Sequence, residues 1–352
     1  MSASRILIVD PTSPKGHVVY NYGIVEAVLA GNNDACIFLS EYLASKLCKK
    51  GIDNKRIINY SNILTFDYIQ KKIKNKILYH FLFRFCSIYI VIKTFFLSKK
   101  YDYVFFSSID IFSFLVFSYL FNEKTIVVDH NIGHIETSKW YRFFWKITNP
   151  KINLIVMEPY IKEMAEKYLK RKIHVLKHPL PIIPKYPNTI QNNKFIHVFA
   201  PGYCNDNKIV ETIIKYDWPA NIRITIRGKN QKEIGNVRVY CNFITDDEYY
   251  SLFTSADFIL IPYGNDYNYK SSAVLHEAFV LNKNVFVFSN NTLKKYASVY
   301  PRKVVAIDSL SQMIDIINKK GLFFSDETFN LNDNLAIELS KQLNKIIDSC
   351  QQ

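Results

Sequence analysis

The stretch from Asp257 to Asn290 constrains the fold of this chain most strongly, because it carries the signals of a strand, a loop, a helix and a second strand in turn. Asp257 to Ile261 is a short apolar run that a proline ends, which predicts a buried parallel strand. Polar turn formers follow, and then apolar residues at helical spacing, for which Ser271 or Ser272 provides an N-cap. Asparagines mark the end of the helix before a second buried strand, Val285 to Phe288.

The junction between this loop and its helix has groups that suit a phosphate. The amino end of a helix presents unpaired N–H groups and a partial positive charge. Lys270 and the two serines stand at that end. Glu277 follows about two turns later, where a carboxylate can accept hydrogen bonds from a ribose diol. Taken alone, however, the pattern fits an ordinary capped helix with a surface glutamate better.

The rest of the chain alternates apolar runs with helical patterns, beginning with the strand RILIVD and a helix predicted from Val18 to Ala30. This alternation predicts a parallel sheet with helices on both faces. A proline-rich segment, HPLPIIPKYPNTIQNN, interrupts it and is typical of a linker, because proline cannot donate to a sheet ladder. The 352 residues leave room for two domains, so we expect an α/β protein with two doubly wound, Rossmann-like domains.

The predicted domain boundaries follow from these changes in the sequence pattern. We expect a first Rossmann-like domain over 1–178, a linker over 179–192, a second Rossmann-like domain over 193–331 and a final helical segment over 332–352. The first turn lacks G-x-G-x-x-G, so a dinucleotide cofactor is not expected. The six cysteines are scattered and the sequence enters a strand without a secretory signal, which predicts a reducing, cytoplasmic setting with no zinc site or disulfide framework.

Two adjoining segments resemble the nucleotide-sugar site of GT-B glycosyltransferases. In that family a strand ending in proline precedes a loop, a helix of the form (S/G)-x-x-x-x-E-A and a strand P-V-I. The upstream segment NFITDDEYYSLFTSADFILIPY is similar to the family's G-F-V-x-x-E-E-L-x-x-L-Y-x-x-A-D-x-x-L-x-P. The chain thus resembles the retaining group-1 family of bacterial surface-polysaccharide glycosyltransferases. The resemblance implies two domains that face a cleft, with the C-terminal helix crossing back to the first domain.

The same resemblance implies which residues bind the donor, a UDP- or GDP-linked sugar. The candidates comprise a Gly turn, cations for the diphosphate, a segment whose backbone contacts the base, and the helix with its carboxylate: Gly202, Lys208, Arg227, Phe243, Ile244, Tyr263, Lys270, Ser271, Ser272 and Glu277. No metal or other cofactor is expected, because the acidic pair Asp246-Asp247 opens a helix instead of forming a DXD-type site.

Two histidines are candidates for catalysis. His17 follows Gly16 in PKGH, which resembles the P-x-G-H loop of inverting enzymes, where the histidine is the general base. His130 in VVDHNIGH falls at the carboxyl end of a predicted core strand, and a histidine near this point contacts the donor sugar in retaining enzymes. Asp129 beside it is expected to set the tautomer of His130.

The acceptor is expected to contact the neighbourhood of these histidines. The candidates are Gly16, Asn131, His134 and Glu136. Retaining enzymes often carry Glu-x7-Glu, but Tyr269 stands eight residues before Glu277. The overall resemblance favours retention over inversion, and this departure leaves both open, together with the identity of the sugar.

The net charge of +14 is concentrated in the first half of the chain, and residues 46–100 alone hold 13 Lys/Arg and 2 Asp/Glu. The cations are interleaved with aromatic and aliphatic residues, a mixture that favours an anionic lipid surface. Nucleic acid is the rival polyanion. Spanning helices are disfavoured, because His80, Arg84 and Lys93 interrupt one apolar segment and a strand followed by a helix over 110–121 explains the other.

The sequence therefore predicts a metal-independent glycosyltransferase on the inner face of the cytoplasmic membrane. It would move a sugar from a nucleotide-sugar donor to a membrane-associated glycan or glycolipid in the synthesis of O-antigen, capsule or lipopolysaccharide. No nucleic-acid partner is expected. Two alternatives remain: a catalytically inactive nucleotide-sugar-binding protein, and a basic protein that binds nucleic acid.

Overall fold

The computed structural model divides the chain into two compact units. The first unit comprises Met1–Leu180 and Asn332–Gln352, and the second comprises Pro181–Leu331. The structure describes residues 3–12, 17–60, 75–180, 195–202, 204, 206–228, 231–241, 244–320 and 335–350. Gly16, Phe243 and most of the predicted linker lie outside these described residues.

The first unit is built on a parallel sheet of seven strands. In chain order the strands are β1 (Arg5–Val9), β2 (Asp34–Leu39), β3 (Ile57–Asn59), β4 (Tyr103–Phe106), β5 (Thr125–Val128), β6 (Asn153–Val156) and β7 (Ile173–Val175). They lie side by side in the order β3-β2-β1-β4-β5-β6-β7. The inner strands β1, β4, β5 and β6 are almost wholly buried, as expected for a parallel sheet covered on both faces, whereas the edge strands β3 and β7 are only partly buried.

Helices connect these strands. They are α1 (Val18–Ala30), α2 (Glu41–Lys49), α3 (Lys76–Ser98), α4 (Ile111–Phe114), α5 (His134–Thr137), α6 (Lys139–Ile147) and α7 (Pro159–Tyr168), with 3-10 helices at Asn54–Arg56 and Val116–Leu120. Helices α1 and α2 pack on one face of the sheet around Ile6, Ile8 and Phe105. Phe106 packs on Phe114 and Phe121, with ring centroids 5.2 and 5.3 Å away.

The second unit repeats this plan with one reversed strand. Its strands are β8 (Ile196–Ala200), β9 (Ile222–Arg227), β10 (Lys232–Ile234), β11 (Val237–Tyr240), β12 (Phe258–Ile261), β13 (Asn284–Phe288) and β14 (Val304–Ile307). The order is β10-β11-β9-β8-β12-β13-β14, and only β10 pairs antiparallel, with β11. The helices are α8 (Asn207–Lys215), α9 (Asp246–Ser255), α10 (Ala273–Val280), α11 (Asn291–Val299) and α12 (Leu310–Lys320).

The predicted strand–loop–helix–strand stretch is confirmed as β12, α10 and β13. Ser272 is the N-cap of α10, because its hydroxyl oxygen accepts a hydrogen bond from the Leu275 N–H at 3.2 Å. Asn282 adopts a left-handed φ of 52° just after the helix, which ends the helical path as the sequence predicts. Both predicted Rossmann-like domains are therefore present.

The last helix, α13 (Leu335–Ser349), belongs to the first unit, as expected. It packs against α1, and Leu339, Leu343 and Ile346 join the core there. The two helices meet closely at Gly31, where a Cβ atom would lie 2.7 Å from the Ser340 hydroxyl oxygen. A side chain at this position would require the Ser340 side chain, and the nearby amides of Asn344 and Asn33, to shift.

Within the described residues, one helical stretch, Ile77–Ser98, is long and apolar enough to cross a membrane by length and composition. Its most apolar part has a mean hydropathy of 1.7, and 28% of that part is buried. This stretch is the body of α3, which packs against α4 in the first unit. The other apolar segment forms β4, α4 and a 3-10 helix, so a strand followed by helices explains it.

Candidate functional site

The first unit gathers polar side chains at one edge of its sheet. Asp10 directly follows β1, Ser108 lies two residues beyond β4, and His130 lies two residues beyond β5. Because these strands are parallel neighbours, their carboxyl ends share an edge, where ligands bind in folds of this class.

Asp10 is the centre of this cluster and is fully buried. Its carboxylate accepts hydrogen bonds from Asn21 Nδ2 and Ser108 Oγ, each at 2.8 Å, and His17 Nδ1 lies 3.4 Å from it. Burial by itself raises the pKa of Asp10, but the hydrogen bonds from His17, Asn21 and Ser108 outweigh it and hold that pKa below its usual value. An ionised Asp10 keeps the proton of His17 on Nδ1, which leaves Nε2 able to accept another.

His17 and His130, the two predicted catalytic histidines, lie together. Their rings stack with centroids 4.3 Å apart. His130 Nε2 lies 2.9 Å from the Ser107 carbonyl oxygen, so Nε2 is the donor. Burial, with a smaller contribution from His17, lowers the pKa of His130 to about 3, so this imidazole stays neutral at ordinary pH. His17 has 31% of its side chain exposed and is the member of the pair with a carboxylate partner.

Asp129 does not contact His130 in the way that the sequence analysis expects. Its Oδ2 accepts hydrogen bonds from Tyr141 Oη at 2.7 Å and Trp145 Nε1 at 2.8 Å. Its Oδ1 accepts a third bond from the Asn131 N–H. Burial raises the pKa of Asp129 to about 6. The carboxylate points away from the histidine and anchors α6 to the end of β5, which is a structural role.

The predicted acceptor residues follow His130 along the chain. Asn131 and His134 are exposed, and Glu136 is partly buried. The His134 ring lies edge-on to Tyr141, with centroids 5.6 Å apart. These positions occupy the turn and the short helix α5 beyond the carboxyl end of β5, next to the histidine pair in sequence.

Three further residues of this cluster were missed by the sequence analysis. Tyr20 is buried and meets His130 edge-on at 4.9 Å and His178 at 5.3 Å. Burial lowers the pKa of His178 to about 4. Asp10 had a detectable signal, since it is a charged residue that ends a buried strand. Tyr20 and His178 are brought together only by the fold.

The second unit brings several of the candidate donor-binding residues to the carboxyl ends of β8, β9 and β12. Gly202 follows β8, Arg227 ends β9 and Tyr263 follows β12. A Cβ atom at Gly202 would lie 1.9 Å from the Tyr263 hydroxyl oxygen, so only glycine fits against this ring. The Tyr267 ring packs against the Tyr263 ring with centroids 4.2 Å apart and the ring planes tilted by 34°.

Glu277 lies on α10, the helix that follows β12 in the chain. Its Oε2 accepts a hydrogen bond from Tyr249 Oη at 2.6 Å, and Tyr250 Oη lies 3.4 Å from Oε1. Burial raises the pKa of Glu277 to about 7, and the tyrosine hydrogen bonds offset only part of that rise. Burial is the main cause of the raised pKa of Tyr263; the charge of Glu277 adds to that rise and the charge of Arg227 opposes it.

The amino end of α10 uses both of its serines internally. Ser272 is fully buried and caps the helix. The Ser271 hydroxyl lies 3.2 Å from His276 Nε2 and from Tyr296 Oη. Lys270 is half-buried just before them, and Tyr269, which stands where the retaining family carries glutamate, has a left-handed φ of 57°.

The remaining donor candidates separate into two groups. Ile244 is partly buried and packs in the same apolar cluster as Tyr263. Lys208 is exposed on α8 and lines a surface groove with Glu211, Thr212 and Lys215, so the structure does not bring it to Glu277. Tyr249 and Tyr250, which hold Glu277, were missed; Tyr249 stands where the family pattern has leucine.

No family profile matches the sequence, and a search of curated proteins finds no match either. Comparison with solved structures finds similar folds over nearly the whole chain. Anabaena HepE in complex with UDP-glucose is 11% identical with a TM-score of 0.63, covering 98% of this chain and 100% of that one. The trehalose-6-phosphate synthase OtsA is 11% identical with a TM-score of 0.61 and 99% coverage of each chain.

A third similar structure is the S. aureus MnaA-UDP co-structure, which is 15% identical with a TM-score of 0.60 and covers 98% of this chain and 96% of that one. Identities this low establish the fold and leave the activity to be argued from the site. The fold is that of the GT-B glycosyltransferases, as the sequence resemblance predicts.

Proposed function

We propose that this protein is a glycosyltransferase that takes a sugar from a nucleotide-sugar donor. The observation that carries the proposal is the setting of Glu277: a partly buried carboxylate with a raised pKa, held by Tyr249 and Tyr250, on the helix whose sequence pattern suits a ribose diol. A carboxylate whose pKa is strongly perturbed by burial is a candidate binding-site residue, and its helix connects the parallel strands β12 and β13.

The donor in this proposal is a nucleoside diphosphate sugar, with UDP favoured over GDP. The similar structures of HepE and MnaA are complexes with UDP-glucose and UDP. Arg227 and Lys270 supply positive charge for the diphosphate, and the amino end of α10 supplies N–H groups. This arrangement stabilises the departing diphosphate electrostatically, so the proposal includes no metal.

The proton of the acceptor hydroxyl is assigned to His17. Asp10 fixes the Nδ1 proton of His17, so Nε2 accepts the hydroxyl proton as the acceptor oxygen bonds to the anomeric carbon and the donor's phosphate bond to that carbon breaks. This reaction inverts the anomeric centre. In the retaining alternative, the departing phosphate takes the proton and His130 supports the sugar.

The acceptor in this proposal is a glycan or glycolipid carried by a membrane, as in the synthesis of O-antigen, capsule or lipopolysaccharide. Support comes from the positive charge of the first half of the chain and the exposed aromatic residues of α3. The protein would then work as a peripheral protein on the inner face of the cytoplasmic membrane.

A second candidate is a nucleotide-sugar-binding protein without turnover. The observation that favours it is Tyr269, which occupies the position of the first family glutamate and whose backbone N–H is bonded to Thr292 Oγ1. In such a protein the donor would bind through Glu277 and no sugar would leave.

A thermal-shift screen with UDP, GDP, CMP and dTDP sugars tests the proposal. A ligand that binds only the native state raises the melting temperature by mass action. We expect a UDP- or GDP-sugar to raise it, and the same sugar to release its nucleoside diphosphate slowly in the presence of protein. Stabilisation without release would favour the inactive binder, and no stabilisation by any of the four classes would contradict both.

A further inference from the structure

Helix α3 presents an apolar stripe that no described part of the chain covers. Five of its residues lie at helical spacing and are between 51% and 82% exposed: Ile77, Phe81, Phe85, Tyr89 and Phe96. The opposite side of the helix is buried in the first unit through Cys86, Ile90 and Val91. Monomeric proteins rarely expose such continuous apolar surface without a partner.

The exposed surface continues from α3 across its neighbours. The Phe112 ring on α4 lies 4.6 Å from the Arg84 guanidinium of α3 and 4.9 Å from the Phe144 ring of α6. Beyond it, Val116 and Tyr119 of the 3-10 helix are 72% and 65% exposed. The Tyr119 hydroxyl donates a hydrogen bond to the Ile147 carbonyl oxygen at 2.9 Å, which ties the 3-10 helix to the end of α6.

Helix α6 combines an apolar stripe with a basic one. Trp140, Phe143 and Ile147 are 70%, 49% and 39% exposed. Lys139, Arg142 and Lys146 form the stripe beside them. Amphipathic helices that lie in a membrane interface have this composition, with aromatic residues on the apolar side and cations at the level of the headgroups.

A basic groove adjoins this helix. It has a volume of about 330 Å³ and is lined by Lys139, Arg142, Phe143, Lys146, Lys167 and Tyr168. No carboxylate lines it, and within the described part of the chain none of its four cations forms an ion pair with one; Arg142 instead lies 5.0 Å from the Tyr168 ring. Four cations without counter-charges create a site of strongly positive potential.

We infer that these elements form one docking surface for an anionic bilayer. The surface comprises the exposed sides of α3, α4, the 3-10 helix 116–120 and α6, and the basic groove receives the phosphate of a lipid headgroup. The docking surface is defined by exposure and charge alone. The inference rests on the proposed function only in linking this surface to a membrane-borne acceptor.

A bilayer explains both the exposed apolar stripe and the basic groove, whereas nucleic acid explains only the groove. Phosphates of a nucleic acid would meet the groove cations, but the apolar stripe of α3 would stay in water. Insertion of α3 across the membrane would expose its Cys86, Ile90 and Val91 side to lipid and break the Ser87 hydrogen bond to the Pro11 carbonyl oxygen, 3.2 Å long. Lying in the interface keeps these contacts.

Vesicle flotation with the full chain tests the inference. We expect binding to phosphatidylcholine vesicles that contain phosphatidylglycerol, and little binding to phosphatidylcholine alone. Lys139→Glu/Lys146→Glu/Lys167→Glu should weaken binding at least about tenfold, because each cation near an anionic surface contributes severalfold. Phe81→Ser/Phe85→Ser should weaken it by a similar factor at all salt concentrations.

Matched controls lie on α13 of the same unit. Lys341 and Lys345 are exposed there, and Ile337 is 44% exposed. Lys341→Glu/Lys345→Glu and Ile337→Ser should float like the unaltered protein. All variants should keep the thermal shift with a nucleotide sugar, so a failure of docking is distinguishable from a failure of the proposed function.

Three results would overturn the inference. The first is absence of flotation with anionic vesicles at low salt, and the second is equal flotation of the groove variant and the α13 control. The third is resistance of the bound protein to extraction by alkaline carbonate, which would mean that α3 spans the bilayer. Loss of oligonucleotide retention in the groove variant with undiminished flotation would assign the groove to nucleic acid instead.

Discussion

Asp10 shows how a single buried carboxylate organises the polar cluster of the first unit. It holds Asn21 and Ser108 by hydrogen bonds and lies 3.4 Å from His17 Nδ1. Its pKa is held below the usual value, so it stays charged without contact with solvent. In our proposal Asp10 is a positioning residue, since it acts on the substrate only through the tautomer and orientation of His17.

Asp10→Asn should therefore slow turnover and leave donor binding intact. An amide cannot hold the Nδ1 proton of His17 as a carboxylate does, and losses of about 10²- to 10⁴-fold are typical when an oriented base loses its partner. Release of nucleoside diphosphate measures turnover, and calorimetry measures donor affinity. His17→Ala should lose turnover to the same extent; full activity in Asp10→Asn would show that the pair does not carry the proton.

Glu277 predicts a specific pH dependence of stability. Its pKa in the folded protein is about 7, against 4.5 for the ordinary side chain. Between these two pH values the folded state holds a proton that the unfolded state has lost, so the free energy of unfolding falls as the pH rises from about 4.5 to about 7. The loss from this one group reaches up to about 3 kcal/mol.

Glu277→Gln removes that titration and keeps an acceptor for Tyr249. Its stability relative to the unaltered protein should increase between pH 5 and pH 8, as measured by melting temperatures across this range. Glu233→Gln, the same change at an exposed position on β10, is the matched control. A constant difference for Glu277→Gln at every pH would mean that the carboxyl group titrates normally.

At the scale of secondary-structure elements, the sequence predicts correctly the helices and strands that local sequence patterns mark. The helix Val18–Ala30 was placed from its periodicity, and the cap at Ser272 and the stop near Asn282 came from known end signals. The helix expected over 110–121 was wrong in part, because the structure has α4 followed by a 3-10 helix. Asn149 N–H donates to Ser118 Oγ, and Asn149 Nδ2 donates to the Ser118 and Phe121 carbonyl oxygens. Such tertiary bonds are not encoded in the local pattern.

The same distinction separates the site residues. Glu277 was predictable because a family pattern marks its helix, whereas Tyr249 reaches it from a helix 28 positions earlier in the chain. His17 and His130 were each predicted, but their stacking depends on the parallel order of β1, β4 and β5. The predicted contact between Asp129 and His130 is wrong, because neighbouring residues at the end of a strand point their side chains to opposite sides of the chain.

The last helix should contribute strongly to the stability of the first unit. Leu343 is 1% exposed and lies in the core that α13 shares with α1. Leu343→Ala should lower the free energy of unfolding by about 2–4 kcal/mol, because it leaves a cavity between the helices. Lys341→Ala, two residues away and exposed, should change it by less than about 0.5 kcal/mol. Urea denaturation measures both, and equal midpoints would show that α13 is not docked in solution.

At the scale of the whole molecule, the two units divide the proposed chemistry between them. The first unit holds the histidine pair with Asp10 and the proposed docking surface, whereas the second unit holds the proposed donor-binding set around Glu277 and Tyr263. This division explains why the positive charge is uneven, since only one unit would face lipid. It also means that donor binding should remain measurable in variants of the first unit, and vesicle binding in variants of the second unit.

Calorimetry tests the central claim most directly. The nucleotide sugar that stabilises the protein most is titrated into the unaltered chain and into Glu277→Ala. Loss of the carboxylate removes the partner of the ribose diol, so we predict that the dissociation constant rises at least about tenfold. Glu233→Ala should bind as the unaltered chain does. Equal affinity in the unaltered chain and Glu277→Ala would contradict the assignment of this helix as the donor site.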